Sequence, residues 1–200
     1  MFQECYEKNY KIYDWLLFFD IDEYIHLQNY QNIKYFLINK KFDKCQSIYL
    51  NWIIHTDNNL MYYDNRSLSK RFKEIIINQN FCRGKTILRG NIKNIKMKST
   101  HILDSNITRC NGFGNFFISN GKNCLIPDYN YNYIDHYYSK STEEFINKII
   151  KGDGIFGFNT KNKIGRIKIY FSFNKITKEK INFIEKRTNL NLSSIIKNIS

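Results

Sequence analysis

The stretch Asp14-Trp15-Leu16-Leu17-Phe18-Phe19-Asp20-Ile21-Asp22-Glu23 decides how the rest of the chain is read. Five consecutive apolar residues, Trp15 to Phe19, predict a strand buried on both faces. The carboxylates Asp20, Asp22 and Glu23 end it abruptly. Carboxylates set side by side raise one another's pKa values, so the cluster is unfavourable unless a cation shares it. At the carboxyl end of a buried strand in an α/β sheet, they stand where ligands bind. A hard divalent cation, Mg2+ or Mn2+, removes the repulsion and takes one or two carboxylates plus the phosphate oxygens of a substrate. Alternate positions of an extended chain point the same way, which predicts that Asp20 and Asp22 converge on one ion. The other reading of the same residues is a solvated acidic turn that stops the strand.

Around this stretch, strand and helix signals alternate, which predicts an α/β class. Residues 2–12 suit a short helix, and 30–39 suit another, with Ile33, Phe36 and Leu37 at helical spacing. Ser47 to Ile54 is strand-like, with Ile48, Leu50 and Trp52 alternating. Thr86 to Leu88 and Asn115 to Ser119 are short strand candidates, and the aromatic run from Tyr131 to Tyr138 places His136 at a strand end. The clearest helix start is Ser141 with Glu144 three residues on, the capping-box spacing, and Gly152 is its stop. After Gly165, Ile167, Ile169 and Phe171 alternate as in a strand, and Thr177 to Thr188 reads as a last helix.

Two hundred residues, 42% of them hydrophobic and 16% aromatic, are enough to fill a core and exclude wholesale disorder. No run approaches the ~18–20 apolar residues of a membrane span, and residues 1–6 show no secretory signal. The net charge of +13 invites a nucleic-acid reading. Yet the chain has no alanine, and Asn, Lys and Ile make up 83 of its 200 residues. These amino acids share AT-rich codons, so the lysine excess is chiefly a record of base composition. Dispersed lysines and many aromatics keep a basic nucleic-acid-binding protein as the alternative function. The cysteines (Cys5, Cys45, Cys82, Cys110, Cys124) include no closely spaced pair for zinc. They read as reduced thiols, consistent with a cytoplasmic chain.

Four ordered segments, taken together, resemble glycosyltransferases of the family 2 / family 92 type. Trp15 to Ile25 is similar to their "W-l-x-f-x-D-x-D-E-F-I" string. Asn51-Trp52 followed by Arg66 to Phe72 resembles their tryptophan strand and R-x-x-x-x-R-[FY] stretch. Gly84 to Arg89 with His101 downstream resembles "K-x-I-v-r-p … H", with Gly90 where proline is common. Asp135 to Phe145, with Lys148 and Gly152, resembles "n-H-Y-x-t-K-S-x-e-E-f-x-x-K-x-x-r-G".

The resemblance implies a partial GT-A-like (Rossmann-like) mixed sheet flanked by helices over residues 1–155, with 156–200 as a C-terminal extension. It implies metal-dependent, inverting transfer from a UDP- or GDP-sugar to a hydroxyl of an unspecified glycan, lipid or protein acceptor. Asp20 and Asp22, with His136, would hold Mn2+ or Mg2+; Asp20, Lys140 and Lys148 would contact the donor. The base that takes the acceptor proton stays open among His101, Glu23, Asp57 and Asp64, with His101 matching a family histidine. Arg66 and Arg71 either pair with carboxylates in the core, the expectation preferred, or line the donor site. Only nineteen residues precede Asp20, where such enzymes carry the elements that hold the nucleotide base. The implied chain is truncated, decayed, or completed by a separate chain supplying the N-terminal half.

Overall fold

The computed structural model describes residues 2–77, 83–97, 99, 101, 106–117, 129–130, 132–152 and 160–193. In chain order the elements are α1 (Phe2–Asn9), β1 (Trp15–Leu17), β2 (Glu23–Leu27), α2 (Ile33–Leu37), β3 (Ser47–His55), α3 (Leu68–Arg71), β4 (Ile75–Ile76) and β5 (Gly84–Arg89). They continue with β6 (Arg109–Asn111), β7 (Phe116–Phe117), β8 (Asn132–His136), α4 (Thr142–Lys151), α5 (Thr160–Phe173) and α6 (Lys178–Thr188). The class is mixed α/β, with an eight-stranded mixed sheet among the described residues. Two compact units divide it: Met1–Ile53 with Ile77–His136, and Ile54–Ile76 with Tyr137–Ser200.

In the first unit the sheet follows the order β1-β5-β3-β6-β7. β5 runs antiparallel to β3, with Asn51 opposite Gly84, and β6 runs parallel to it, with Ile48 opposite Cys110. β8 pairs with β3 and with β2. All nine residues of β3 are buried, as its position between paired neighbours requires. Gly84 is needed at that crossing, because a Cβ there would lie 1.9 Å from the Leu50 carbonyl oxygen.

The strand buried on both faces is therefore β3, and not the run Trp15 to Phe19. β1 covers only three residues, ends the strand path, and buries Leu16 alone. A continuous apolar run does not distinguish a central strand from an edge strand that packs a helix. Here Leu16 and Phe18 cover α1, joining Tyr6, Leu88 and Ile95 in one apolar cluster. Trp15 lies under the Arg89 guanidinium, 4.3 Å from its ring centroid.

A disulfide joins Cys45, just before β3, to Cys110 in β6, with Cα atoms 5.8 Å apart. This corrects the reduced-thiol expectation for both. The partners are 65 residues apart, so only the parallel β3–β6 pairing brings them together. Cys5 is free and exposed. Cys82 and Cys124 lie outside the described residues.

In the second unit α4 begins as its sequence dictates. The Ser141 side chain accepts the Glu144 amide, and Glu144 reaches back to the Ser141 amide. Gly152 ends the helix at φ 73°. The segment expected as a strand after Gly165 is instead inside α5. Ile167, Tyr170 and Phe171 are buried at i, i+3, i+4, while Ile169 is 40% exposed, which is a helical stripe. Phe145, Ile146 and Ile149 of α4, Ile184 of α6 and Leu192 complete that core. A buried polar network is embedded beside it. Lys180 Nζ lies 2.6 Å from Asp57 Oδ2, which also accepts the Tyr170 hydroxyl. Asn174 Oδ1 accepts the Asp57 amide at 2.6 Å, and Asn174 Nδ2 donates to Ser139 Oγ at 2.7 Å. No helix among the described residues is long and apolar enough to cross a membrane.

Candidate functional site

The acidic segment is a closed turn, and its shape settles where each carboxylate points. The Glu23 amide donates to the Asp20 carbonyl at 3.1 Å, and the Asp20 amide donates to Glu23 Oε2 at 3.1 Å. Asp20 and Asp22 are therefore not alternate residues of an extended chain, and each has its own partner. Asp20 is 62% exposed, with Oδ2 2.9 Å from the Lys85 ammonium. Asp22 is buried, with Oδ1 3.8 Å from His136 Nε2.

The β2–β8 ladder sets Glu23 opposite His136, which places both beside Asp22. Glu23 has a fully buried side chain, with Oε2 3.5 Å from Lys85 Nζ. Its Oε1 has no hydrogen-bond partner. Burial raises the Glu23 carboxyl to about 7, outweighing the lowering by the Asp20 amide and by Lys85. Near neutral pH this carboxyl populates both protonation states.

Lys85 comes from β5, where its side chain is only 2% exposed. It is the buried cation of the site. Trp52 of β3 touches two imidazoles, with ring centroids 5.0 Å from His101 and 4.3 Å from His136. His101 Nδ1 lies 2.8 Å from the Gly84 carbonyl oxygen. That partner accepts only, so Nδ1 carries the proton and Nε2 keeps the lone pair of the neutral ring. Burial lowers the His101 pKa, more than the Gly84 hydrogen bond raises it. A neutral imidazole with its far nitrogen anchored is built to accept a proton.

A divalent cation fits the Asp22–His136 pair. Neighbouring oxygen and imidazole ligands at about 2.0–2.2 Å from one ion stand roughly 2.8–3.6 Å from each other, so the two donor atoms, 3.8 Å apart, share an ion after closing by a few tenths of an ångström. Among the described residues no group of three or more such side chains gathers at metal-binding spacing. Remaining positions would fall to phosphate oxygens and water, the habit of Mg2+. The Asp20 carboxylate gives one oxygen, Oδ2, to the Lys85 ammonium.

The other expected residues belong to the second unit. Lys140 is half-buried with φ 51°, an uncommon lysine conformation that turns the chain into the α4 cap. Lys148 is exposed, its ammonium 5.7 Å from the Tyr138 ring centroid. Asp57 is occupied by Lys180 and Tyr170, which removes it as a base. Asp64 takes Arg66 in a forked contact, and those hydrogen bonds hold its carboxyl below the usual range. Arg71 pairs with Glu144 at 2.7 Å, so both arginines meet carboxylates as expected.

Lys85 and Trp52 were missing from the expected site. Lys85 had a legible signal, a lone charge beside Thr86-Ile87-Leu88 in a strand. Such a lysine is buried only with a counter-charge. Comparison with family models, with curated proteins and with solved structures finds no match to this chain.

Proposed function

We propose that this chain is a GT-A-like glycosyltransferase, transferring a sugar from a UDP- or GDP-sugar to an acceptor hydroxyl with inversion and with Mn2+ or Mg2+. The observation that carries the reading is the buried Asp22–His136 pair at the end of the D-x-D turn. The four ordered segments of resemblance support it.

In this reading Asp22 and His136 hold the cation. When bound, it supplies Lewis-acid stabilisation of the departing nucleoside diphosphate. Lys85 holds the Asp20 carboxylate, whose exposed side would meet the ribose hydroxyls. His101 is favoured over Glu23 as the base. Its Nε2 takes the acceptor proton while Nδ1–H stays on the Gly84 carbonyl. Glu23 is fully buried behind Lys85 and tunes the charge of the turn. Lys140 and Lys148 are carried as diphosphate contacts by the resemblance alone. The Cys45–Cys110 bridge favours an oxidising compartment over the cytosol.

A titration followed by the electron paramagnetic resonance of free Mn2+ tests the site. The parent is expected to bind Mn2+, and Asp22→Asn and His136→Gln to weaken binding at least ~10-fold, as loss of a ligand should. Equal binding by all three proteins, or none by the parent, removes the metal site.

A further inference from the structure

We propose that Lys85 is a tethered cation, filling from within the fold the place beside Asp20 and Glu23 that a second divalent ion would otherwise fill. The inference deepens the proposed function, resting on that reading only in taking Asp22 and His136 as the site's metal-binding end. Three features carry it. The ammonium sits between two carboxylates, 2.9 Å from Asp20 Oδ2 and 3.5 Å from Glu23 Oε2. It is almost completely buried at the end of a flexible stem, so it reaches the turn from β5 as a compact point charge. The Glu23 side chain is wholly buried beside Lys85 and its Oε1 has no hydrogen-bond partner, leaving an oxygen able to coordinate.

The consequence is a division of labour inside one turn. With Lys85 in place, Asp20 and Glu23 are neutralised without metal, so the turn stays closed in the empty protein. The cation of the reaction is then left the Asp22–His136 end of the turn to occupy. Remove the ammonium and Asp20 and Glu23 lose the cation between them, a charge pattern that a divalent ion relieves. Lys85→Met should therefore give the turn around Asp20 and Glu23 a dependence on metal that it lacks in the parent.

Thermal unfolding of the parent, Lys85→Met and Lys85→Met/Glu23→Gln, each with chelator and with millimolar Mn2+, makes the test. In chelator, Lys85→Met is expected to melt roughly 10 °C below the parent, the scale set by breaking a buried ion pair. Mn2+ should return about half of that loss or more by mass action, and Asp20→Asn added to Lys85→Met should abolish the return. The double variant, lacking both the ammonium and the carboxylate that it answers, should melt within a few degrees of the parent in chelator. It also covers the case in which Lys85→Met alone does not fold. A double variant as unstable as Lys85→Met, or a Lys85→Met protein indifferent to Mn2+, overturns the proposal. The parent's own Mn2+ affinity judges the proposed function separately. A parent that binds no Mn2+ refutes the glycosyltransferase site, while a metal-dependent Lys85→Met still supports the tethered cation.

Discussion

Among the described residues, two clusters of buried polar side chains, one in each unit, are finished differently. Around Asp57 the hydrogen bonding is complete. Lys180 has Asp57, Asn59 Oδ1 and the Lys175 carbonyl for its ammonium protons. Asp57 Oδ1 accepts the Asn59 amide at 2.9 Å, and the Tyr170 hydroxyl also meets Thr142 at 2.8 Å. Around Glu23, by contrast, a buried carboxylate oxygen is left over and the carboxyl rises to about 7. A satisfied network fixes one packing of its elements, whereas a charge cluster that is unfinished by the protein alone is a place for a ligand.

The largest effect expected from breaking this contrast is at the finished end. Asp57→Ala strands the Lys180 ammonium in the core and should cost about 3–5 kcal/mol, measured by urea unfolding. A loss under ~1 kcal/mol would mean that the network is not what holds the second unit.

The opposite sign is expected at the unfinished end. The Glu23 carboxyl is raised from 4.5 to about 7 in the fold, so its contribution is fully present below pH ~4.5 and is lost as pH rises through ~7. In metal-free buffer at pH 8, Glu23→Gln should therefore be more stable than the parent by roughly 1–3 kcal/mol, and the gain should vanish by pH ~4. A variant that is less stable than the parent at pH 8 would contradict the burial cost assigned to this side chain.

Glu144 sharpens the comparison because its shift runs the other way. Burial alone would raise its carboxyl, but Arg71 and Ser141 together hold it below the usual range. Its contribution is present above the unfolded pKa and is lost as pH falls through the lowered folded value. Glu144→Gln should cost on the order of 1 kcal/mol at pH 7 and nothing measurable at strongly acid pH, seen in paired denaturation curves. Smallest is Ser141→Ala, about 0.5–1 kcal/mol for one side of the capping box, with Glu144 still on Arg71.

The parts of the fold that local chemistry dictates were legible in the sequence. The Ser141 box, the Gly152 stop and the apolar β3 strand each rest on interactions within a few residues. β2 and β6 were not legible, because strands of five and three residues exist only through partners far along the chain. α5 was misread because Ile167, Ile169 and Phe171 alternate, although Ile167, Tyr170 and Phe171 fit a helix equally well. At the site, the acidic cluster located the turn but not the directions of its carboxylates. Those follow from the backbone closure between Asp20 and Glu23 and from Lys85, which lies 65 residues from Asp20.

The most direct measurement is calorimetric titration of UDP and of GDP into the parent and into Asp22→Ala, each with Mn2+ and with chelator. The expected result is binding of one of the nucleotides by the parent only when Mn2+ is present, and its loss in Asp22→Ala. Absence of binding to the parent, or binding indifferent to Mn2+ and to Asp22, would contradict the assignment of the Asp22–His136 pair to a donor site.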